Sequence, residues 1–413
     1  MKLSQSAIRE HQLTGLNSLL SQARMNPFYR DRLSTIELPL QSLDQLSEIP
    51  LLRKQELIPD SQRLARIFQR PQRDYVRLHQ TSGTTGFPMA VADTHEDWEW
   101  WLRCWDFVLD AANVTAADTA LMAFSFGPFI GFWTANDALI RRGVTVVPGG
   151  GMSSENRLSM IEHYGCTVIC CTPTYALHLV AVAEAVGFDL AASSVERLIV
   201  AGEPGGSIPA VRDRIEKAWN ATVIDHAGAS ELGAWGFGSL DGKGIHVVET
   251  EFIAELLRFD SDDHQGAPVK DGEEAELVLT NLGRWGGPAI RYRTGDIVRG
   301  YREHHRDCRF LWLDGGVLGR ADDMLVIRGV NIFPSSVEAI VRELDATCEF
   351  RMLATRHDEM DQLDIEIEAS EEVAEQLSQR LRDRLAMRVA VCCVPENSLP
   401  RFEAKARRLI DQR

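Results

Sequence analysis

The sequence lacks any apolar run near the ~20 residues that a membrane-spanning helix requires. Its first residues, Met1 to Ser6, lead into a polar helical pattern rather than into a signal peptide. These two absences predict a cytoplasmic protein with no membrane partner. The 45% hydrophobic and 25% charged content is that of an ordinary globular protein.

The sequence also lacks a CxxC motif, although it contains 8 cysteines. Two adjacent pairs, Cys170-Cys171 and Cys392-Cys393, fall in apolar, strand-like runs. This arrangement favours buried free thiols over a metal site or disulfides.

Basic residues are scarce, since 44 Lys and Arg face 60 Asp and Glu, for a net charge of −16. A nucleic-acid partner is therefore not expected, because binding a phosphate backbone requires clustered Lys and Arg. If such a protein binds an anionic small molecule, it must do so with local donors, glycine loops and a metal.

Glycine and hydroxyl residues are concentrated in one stretch, Thr81-Ser82-Gly83-Thr84-Thr85-Gly86. The hydroxyls and main-chain N–H groups of such a loop can wrap phosphate oxygens. Extended patterns on both sides predict a strand–loop–strand hairpin. The loop is not a Walker A motif, because no Gly-Lys-Ser/Thr follows and no helix begins there. Taken alone, it is also compatible with a solvated turn.

Between residues 119 and 225, apolar extended runs alternate with helical patterns. The runs are residues 120–124, 144–147, 167–171, 198–201 and 222–224. Apolar strands separated by helices predict a parallel α/β sheet covered on both faces. Ligands of such sheets bind beyond the carboxyl ends of the strands, which here are followed by the loops 201–205 and 225–231.

Beyond residue 240 the pattern changes to alternation, which predicts an antiparallel or β-barrel-like subdomain. A polar joint at 319–323 precedes a compact α+β unit, in which Ser335 and Glu338 suggest a capping box at the start of a helix. With 413 residues, we expect a large domain over 1–320 and a small one over 321–413.

Nine motifs, in order along the chain, resemble those of the phenylacetate-CoA ligases within the adenylate-forming superfamily. They are TSGTTGFP at 81, FSFGPFIG at 124, RRGVTVVPGGG at 141, TPTY at 172, AGEP at 201, GASE at 228, RYRTGD at 291, GRADDMLVIRGVNIFPSSVE at 319 and LPRFEAKARRLID at 399. Each motif alone is a weak signal, but nine in the family's order are improbable by coincidence.

The resemblance implies an ATP-binding site and assigns residues to it. The loop Thr81, Ser82, Gly83, Thr84, Thr85 and Gly86 would hold the ATP phosphates, and Gly202, Glu203 and Pro204 would border adenine. The segment with Asp225, Ala227, Gly228 and Ser230 would complete the nucleotide site, while Asp296 would bind the ribose hydroxyls beside the cation of Arg320.

The resemblance also implies the catalytic residues. Glu231 would help to hold Mg²⁺, a cation that prefers carboxylate and phosphate oxygens. Lys405 would enter the site during adenylation, together with Arg320. Asp322 would be the hinge on which a mobile small domain swings between two half-reactions.

Aromatic residues of the matching segments, Phe124, Phe126, Trp235 and Phe237, would line the pocket for the acid. Ring-sized apolar walls suit an aryl acid. The same four residues are equally compatible with a plain hydrophobic core.

Four positions depart from the family's pattern. Phe87 and Met89 stand where lysines are common, so the loop itself carries no cation. Ala227 stands where a tyrosine or phenylalanine usually stacks on adenine, and Ala404 replaces a glycine before Lys405.

The resemblance implies an enzyme that activates an aromatic, aryl or arylacetic, carboxylic acid with ATP and Mg²⁺ to an acyl-AMP and transfers the acyl group to CoA. Two alternatives stay open: an acyl-AMP former that serves a carrier protein or a reductase in secondary metabolism, and a weakly active or non-catalytic nucleotide binder. A homodimeric assembly also stays open.

Overall fold

The computed structural model describes residues 4–59, 64–81, 89–128, 130–131, 133–239, 241–258, 266–302, 308–327, 330–345, 347–357, 360–385, 387–401 and 408–413. Its α-helices are α1 (Gln5–Ala23), α2 (Pro27–Arg32), α3 (Lys54–Leu57), α4 (His95–Ala111), α5 (Trp133–Arg142), α6 (Ser154–Tyr164), α7 (Pro173–Val186), α8 (Pro209–Trp219), α9 (Pro334–Leu344) and α10 (Glu371–Leu385). Short 3-10 helices lie at Leu43–Glu48, Gln72–Asp74 and Ala321–Asp323.

The strands up to residue 301 are β1 (Tyr75–Gln80), β2 (Ala90–Thr94), β3 (Thr119–Met122), β4 (Thr145–Pro148), β5 (Val168–Cys171), β6 (Arg197–Ala201), β7 (Thr222–Ala229), β8 (Gly233–Gly238), β9 (Gly244–Val247), β10 (Phe252–Leu257), β11 (Glu274–Asn281) and β12 (Tyr292–Tyr301). The later strands are β13 (Trp312–Arg320), β14 (Leu325–Ile327), β15 (Val330–Ile332), β16 (Phe350–His357), β17 (Met360–Ile367), β18 (Ala390–Cys393) and β19 (Leu409–Asp411).

One mixed sheet of 11 strands dominates the fold, in the order β10-β11-β12-β13-β9-β8-β7-β6-β5-β3-β4. The five strands β3 to β7 are mutually parallel, which confirms the predicted α/β sheet. From β8 onward the pairings are antiparallel. The antiparallel strands expected as a barrel-like subdomain therefore continue the same sheet.

Helices cover both faces of the parallel strands, and alternate residues of each strand serve the two faces. On β7, Ile224 belongs to the core beneath α4 and α5, whereas its neighbour Val223 belongs to the core beneath α6, α7 and α8. The aromatic stripe of α4 is core, as expected, with Trp100 and Trp105 at most 1% exposed. Both faces are closed, so an accessible ligand site can lie only at an edge of these strands.

The C-terminal part has its own four-stranded sheet, in the order β18-β17-β16-β19, and its own hydrophobic core with α9 and α10. The predicted capping box at Ser335 is wrong. The helix α9 begins one residue earlier, at Pro334, whose ring presets the backbone for the first helical position. The hydroxyl of Ser335 instead donates a hydrogen bond to the carbonyl of Leu318.

The predicted burial of the cysteines is correct for five of the eight, while Cys308 is half-buried. It is wrong for Cys392 and Cys393, which are exposed because β18 lies at the edge of its sheet. In the part of the chain that the structure describes, no helix is both long and apolar enough to span a membrane.

Candidate active site

Several of the predicted site residues lie at the carboxyl ends of the parallel strands. Because β3, β5, β6 and β7 run in the same direction, the segments that follow them meet at one edge of the sheet. These segments include Phe124 and Phe126, the loop from Gly202 to Pro204, and the end of β7 with Gly228. The structure thus gathers at one edge three segments that are dispersed in the sequence.

The hydroxyl-rich loop connects β1 and β2, which pair in antiparallel fashion as predicted. Thr81 closes the base of the loop, because its N–H donates to the carbonyl of Met89 at 2.9 Å and its Oγ1 accepts from the Met89 N–H at 3.1 Å. The remaining loop residues lie outside the described part of the chain; they are Ser82, Gly83, Thr84, Thr85 and Gly86. Lys405 and the side chain of Asp322 also lie outside it.

Glu231, the expected metal ligand, is 5% exposed and has two polar neighbours. The ammonium nitrogen of Lys54 lies 3.2 Å from its Oε1, and the hydroxyl of Tyr292 donates to the same oxygen at 3.4 Å. Burial, followed by the Glu231 carboxylate, raises the pKa of Tyr292 well above its ordinary value. The tyrosine is therefore a permanent neutral donor to this carboxylate.

Lys54 reaches the site because its segment is bound to the edge of β12. The Leu52 N–H donates to the Arg291 carbonyl at 2.8 Å, and the Arg293 N–H donates to the Leu52 carbonyl at 2.9 Å. Leu52 is fully buried, so this attachment is part of the core. Sequence reasoning missed Lys54, because nothing local distinguishes one lysine within an irregular connection.

Asp296 and Arg320, predicted to act side by side, are brought together. The Arg320 Nη1 donates to the Asp296 Oδ1 at 2.9 Å, and the two residues are register partners on β12 and β13. A bulge in β12 removes Asp296 from the pairing with β11, since Arg293 and Ile297 face Val278 and Glu276. Gly295 provides the turn with φ +75° and donates its N–H to Glu276 at 3.1 Å.

Two acidic residues assigned to the nucleotide site bind their own chain. Glu203 Oε1 accepts the N–H of Thr174 at 2.7 Å, which ties the loop from Gly202 to Pro204 to the start of α7. Asp225 accepts the hydroxyl of Ser207 at 2.6 Å and the N–H of His226 at 3.0 Å. Burial raises the pKa of Asp225 to about 6. Both carboxylates therefore position loops of the site.

A buried arginine, Arg284, anchors the segment after β7. The Ser230 carbonyl accepts the Arg284 Nη1 at 2.7 Å, and Arg284 forms a fully buried ion pair with Asp93, also at 2.7 Å. Gly228 and the loop residues Gly202 and Pro204 are exposed, and Ala227 is half-buried. The small side chain of Ala227 places no aromatic ring at this position.

The four aromatic residues predicted to line the acid pocket lie in different packing environments. The rings of Phe124 and Phe126 lie 4.7 Å apart, and Phe126 also contacts Trp133 at 4.6 Å. The ring of Phe237 packs 5.8 Å from Phe107 of α4. Trp235 is 1% exposed and is the extra residue of a bulge in β8, opposite Ala227 and Gly228.

Comparison with known proteins assigns this fold and site to a class. The family described as AMP-binding enzyme matches residues 34–283, and the family described as AMP-binding enzyme C-terminal domain matches residues 329–413. The chain therefore belongs to the AMP-binding, or adenylate-forming, enzymes.

Its similar relatives include phenylacetate-coenzyme A ligases. It is 31% identical to that of Escherichia coli (strain K12) over 389 residues, which cover 90% of this chain and 86% of the relative. It is also 31% identical to that of Pseudomonas putida over 377 residues, covering 89% and 83%. The protein is thus a phenylacetate-CoA ligase-like enzyme, an AMP-forming acid–thiol ligase that uses ATP and CoA and passes through an acyl-AMP.

Among solved structures, 2-hydroxyisobutyryl-CoA ligase in the postadenylation state matches with a TM-score of 0.89 and 26% identity, covering 98% of this chain and 90% of that one. An open conformation of the same ligase, in complex with 2-HIB-AMP and CoA, matches with a TM-score of 0.73. The present arrangement is therefore closer to the postadenylation form of that relative.

Proposed function

We propose that the enzyme activates an aromatic carboxylic acid and transfers it to CoA. The observation that carries this proposal is the aromatic pair Phe124 and Phe126, which stands at the carboxyl edge beside the nucleotide-site segments. Contacts between aromatic rings are worth ~0.5–1.5 kcal/mol beyond burial, and a flat aryl acid provides a further ring. The similarity to phenylacetate-CoA ligases supports the same class of acid.

In the first half-reaction, a carboxylate oxygen of the acid attacks the α-phosphorus of ATP. The bond from that phosphorus to the bridging oxygen breaks, and pyrophosphate leaves with the electron pair. Both reactants are anions, so the protein contributes mainly positioning and neutralisation of charge. In the second half-reaction, the thiolate of CoA attacks the acyl carbon and AMP leaves.

We assign to Lys54 the neutralisation of phosphate charge during the first half-reaction. The Ser/Thr/Gly loop has no lysine of its own, and the Lys54 ammonium group is already at Glu231. Its side chain is 42% exposed, so it remains accessible to a phosphate. Lys405, from the C-terminal motif, would be the second cation, and Asp322 would be the hinge that brings it in and out.

Glu231 would hold Mg²⁺. Mg²⁺ is commonly bound by one or two carboxylates together with substrate phosphates and water, so a single carboxylate is sufficient. Lys54 and Tyr292 both approach Oε1, and Oε2 is the oxygen left for the metal. The bound ion would neutralise phosphate charge, while Glu231 orients it.

Asp296 and Arg320 would hold the ribose, with the Asp296 carboxylate accepting from its hydroxyls. The exposed residues Gly202 and Pro204 would border adenine, and Gly228 would allow close approach of the backbone. The relatives named above are CoA ligases, which favours CoA over the carrier protein or reductase left open by the sequence.

Acid-dependent ATP–pyrophosphate exchange tests the proposal. The panel contains benzoates, phenylacetates, cinnamates and anthranilates, and aliphatic controls that include 2-hydroxyisobutyrate, the acid named for the structural relative. We expect exchange and subsequent thioester formation with one or more aryl acids. Activation of the aliphatic acids alone would refute the aromatic assignment.

A further inference from the structure

His226 lies on β7 between the nucleotide loop and the core, and its hydrogen bond defines its tautomer. Its Nδ1 lies 2.8 Å from the carbonyl oxygen of Gly236. A carbonyl only accepts hydrogen bonds, so Nδ1 carries the hydrogen. In a neutral imidazole the other nitrogen, Nε2, is then an acceptor.

The imidazole is neutral because it is buried. His226 is 8% exposed, and its ring lies 4.3 Å from the ring of Trp105. Burial lowers the pKa of His226 to about 4. At neutral pH the side chain therefore presents an unprotonated Nε2.

Nε2 is directed toward the carboxyl end of β7. A methyl group placed on Gly228 would lie 3.5 Å from Nε2, and Gly228 itself is exposed at the site. Within the described ranges, no protein group donates a hydrogen bond to this nitrogen. This nitrogen is not among the fully buried atoms without a partner, so it keeps access to solvent and a ligand that carries a donor can reach it.

The register of the sheet places His226 beside Ala201, the small residue that begins the Ala-Gly-Glu-Pro segment. Phe124 follows β3, which is separated from β7 by β5 and β6. At a strand spacing of about 4.8 Å, three steps span roughly 14 Å, about the distance between two side chains that contact opposite ends of an aryl acid.

We propose that His226 Nε2 accepts a hydrogen bond from the acid itself, so that the acid carries a hydroxyl or amino substituent on its aryl group. This inference rests on the proposed function and adds the substituent to it. His226 is thus a residue that determines specificity, and it has no role in the chemical step.

The test compares acids in matched pairs on the wild-type enzyme. Each ring position carries in turn hydrogen, hydroxyl, amino and methoxy, the last being similar in size to the polar groups but without a donor. We expect one hydroxy or amino isomer to exceed both its unsubstituted and methoxy counterparts by about ten- to a hundredfold in kcat/KM for exchange. Equal kcat/KM for the unsubstituted acid and every donor-bearing isomer would overturn the inference.

Two variants test whether His226 causes the preference for donor-bearing acids. In His226→Leu, the ratio of kcat/KM for the preferred acid over its methoxy analogue should fall to within about threefold of unity, whereas His226→Gln keeps an acceptor and should restore part of the ratio. A ratio unchanged in a folded His226→Leu enzyme would refute the assignment to His226.

A matched control is His178→Leu, which removes a half-buried histidine from α7, a helix that packs in the core on the other face of the sheet. Its ring lies 5.7 Å from the ring of Tyr175, so the change also deletes an aromatic contact. The ratio between the two acids should not change in this variant. Exchange with no aryl acid at all would refute the proposed function, whereas exchange without donor preference refutes only the inference about His226.

Discussion

The ammonium group of Lys54 and the carboxylate of Glu231 form an ion pair at 3.2 Å, although 176 residues separate them in the sequence. Glu231 is buried and follows β7, while Lys54 belongs to a connection attached to β12. The pair therefore joins the N-terminal segment to the expected metal site. It places a cation where the hydroxyl-rich loop provides none.

Lys54→Met should lower the rate of acid-dependent exchange by about ten- to a hundredfold, the effect of losing one charge-assisted contact in the transition state. Lys54→Arg should retain part of the rate. Lys217→Met, an exposed lysine on α8, is the matched control and should exchange like wild type. A folded Lys54→Met enzyme with wild-type exchange would remove Lys54 from the reaction.

Much of the fold follows from local patterns. The parallel strands and their helices are recognisable because apolar runs such as 168–171 are buried on both faces, and the bounds of α8 agree with its apolar face at Val211, Ile215 and Trp219. The prediction for the start of α9 is wrong because a serine hydroxyl can donate to distant backbone, here the Leu318 carbonyl, as readily as it can cap its own helix.

The site was less predictable than the fold, for a physical reason. Asp296 and Arg320 belong to recognisable motifs, and the structure places them in contact. Lys54 and His226 acquire their significance only from partners far away in the chain or on neighbouring strands, namely Glu231 and Gly236. Such pairings depend on register and topology, which a single sequence does not reveal.

Asp296→Asn should weaken the binding of AMP by ~1.5–3 kcal/mol, the contribution of hydrogen bonds to a charged acceptor. The bulge that carries Asp296 is held independently by Glu276, so the loop should keep its shape. Isothermal titration calorimetry measures the change. Glu274→Gln, which breaks the exposed ion pair with Arg299 on the same sheet, should leave affinity unaltered; equal affinities for all three proteins would exclude Asp296 from the nucleotide site.

Lys405→Ala should abolish exchange while a supplied acyl-AMP is still converted to thioester by CoA. The reason is that Lys405 would reach the site only in the adenylating arrangement of the small domain. Equal loss of both half-reactions would contradict a role confined to adenylation.

Asp225 should give the folded protein a distinct pH dependence. Its pKa is raised from 3.8 to about 6, so the folded state binds its proton more tightly than the unfolded state does. The stabilisation is present below pH 4 and is lost as pH rises through 6. Relative to Asp225→Asn, the unfolding free energy of wild type should fall by up to about 3 kcal/mol between pH 4 and 7.

Urea unfolding of both proteins at several pH values measures that difference. Because every other carboxyl group is common to the two proteins, their contributions largely cancel in the comparison. A difference that does not vary with pH would show that Asp225 titrates normally in the folded state.

The most direct test of the central claim is a single-turnover experiment without CoA. Enzyme in excess is mixed with ATP, Mg²⁺ and the best aryl acid from the exchange panel, and the products are identified by mass spectrometry. We predict a stoichiometric aryl-AMP that remains bound and is converted to aryl-CoA and AMP when CoA is added. Formation of aryl-CoA without a detectable adenylate, or of ADP in place of AMP, would contradict the account.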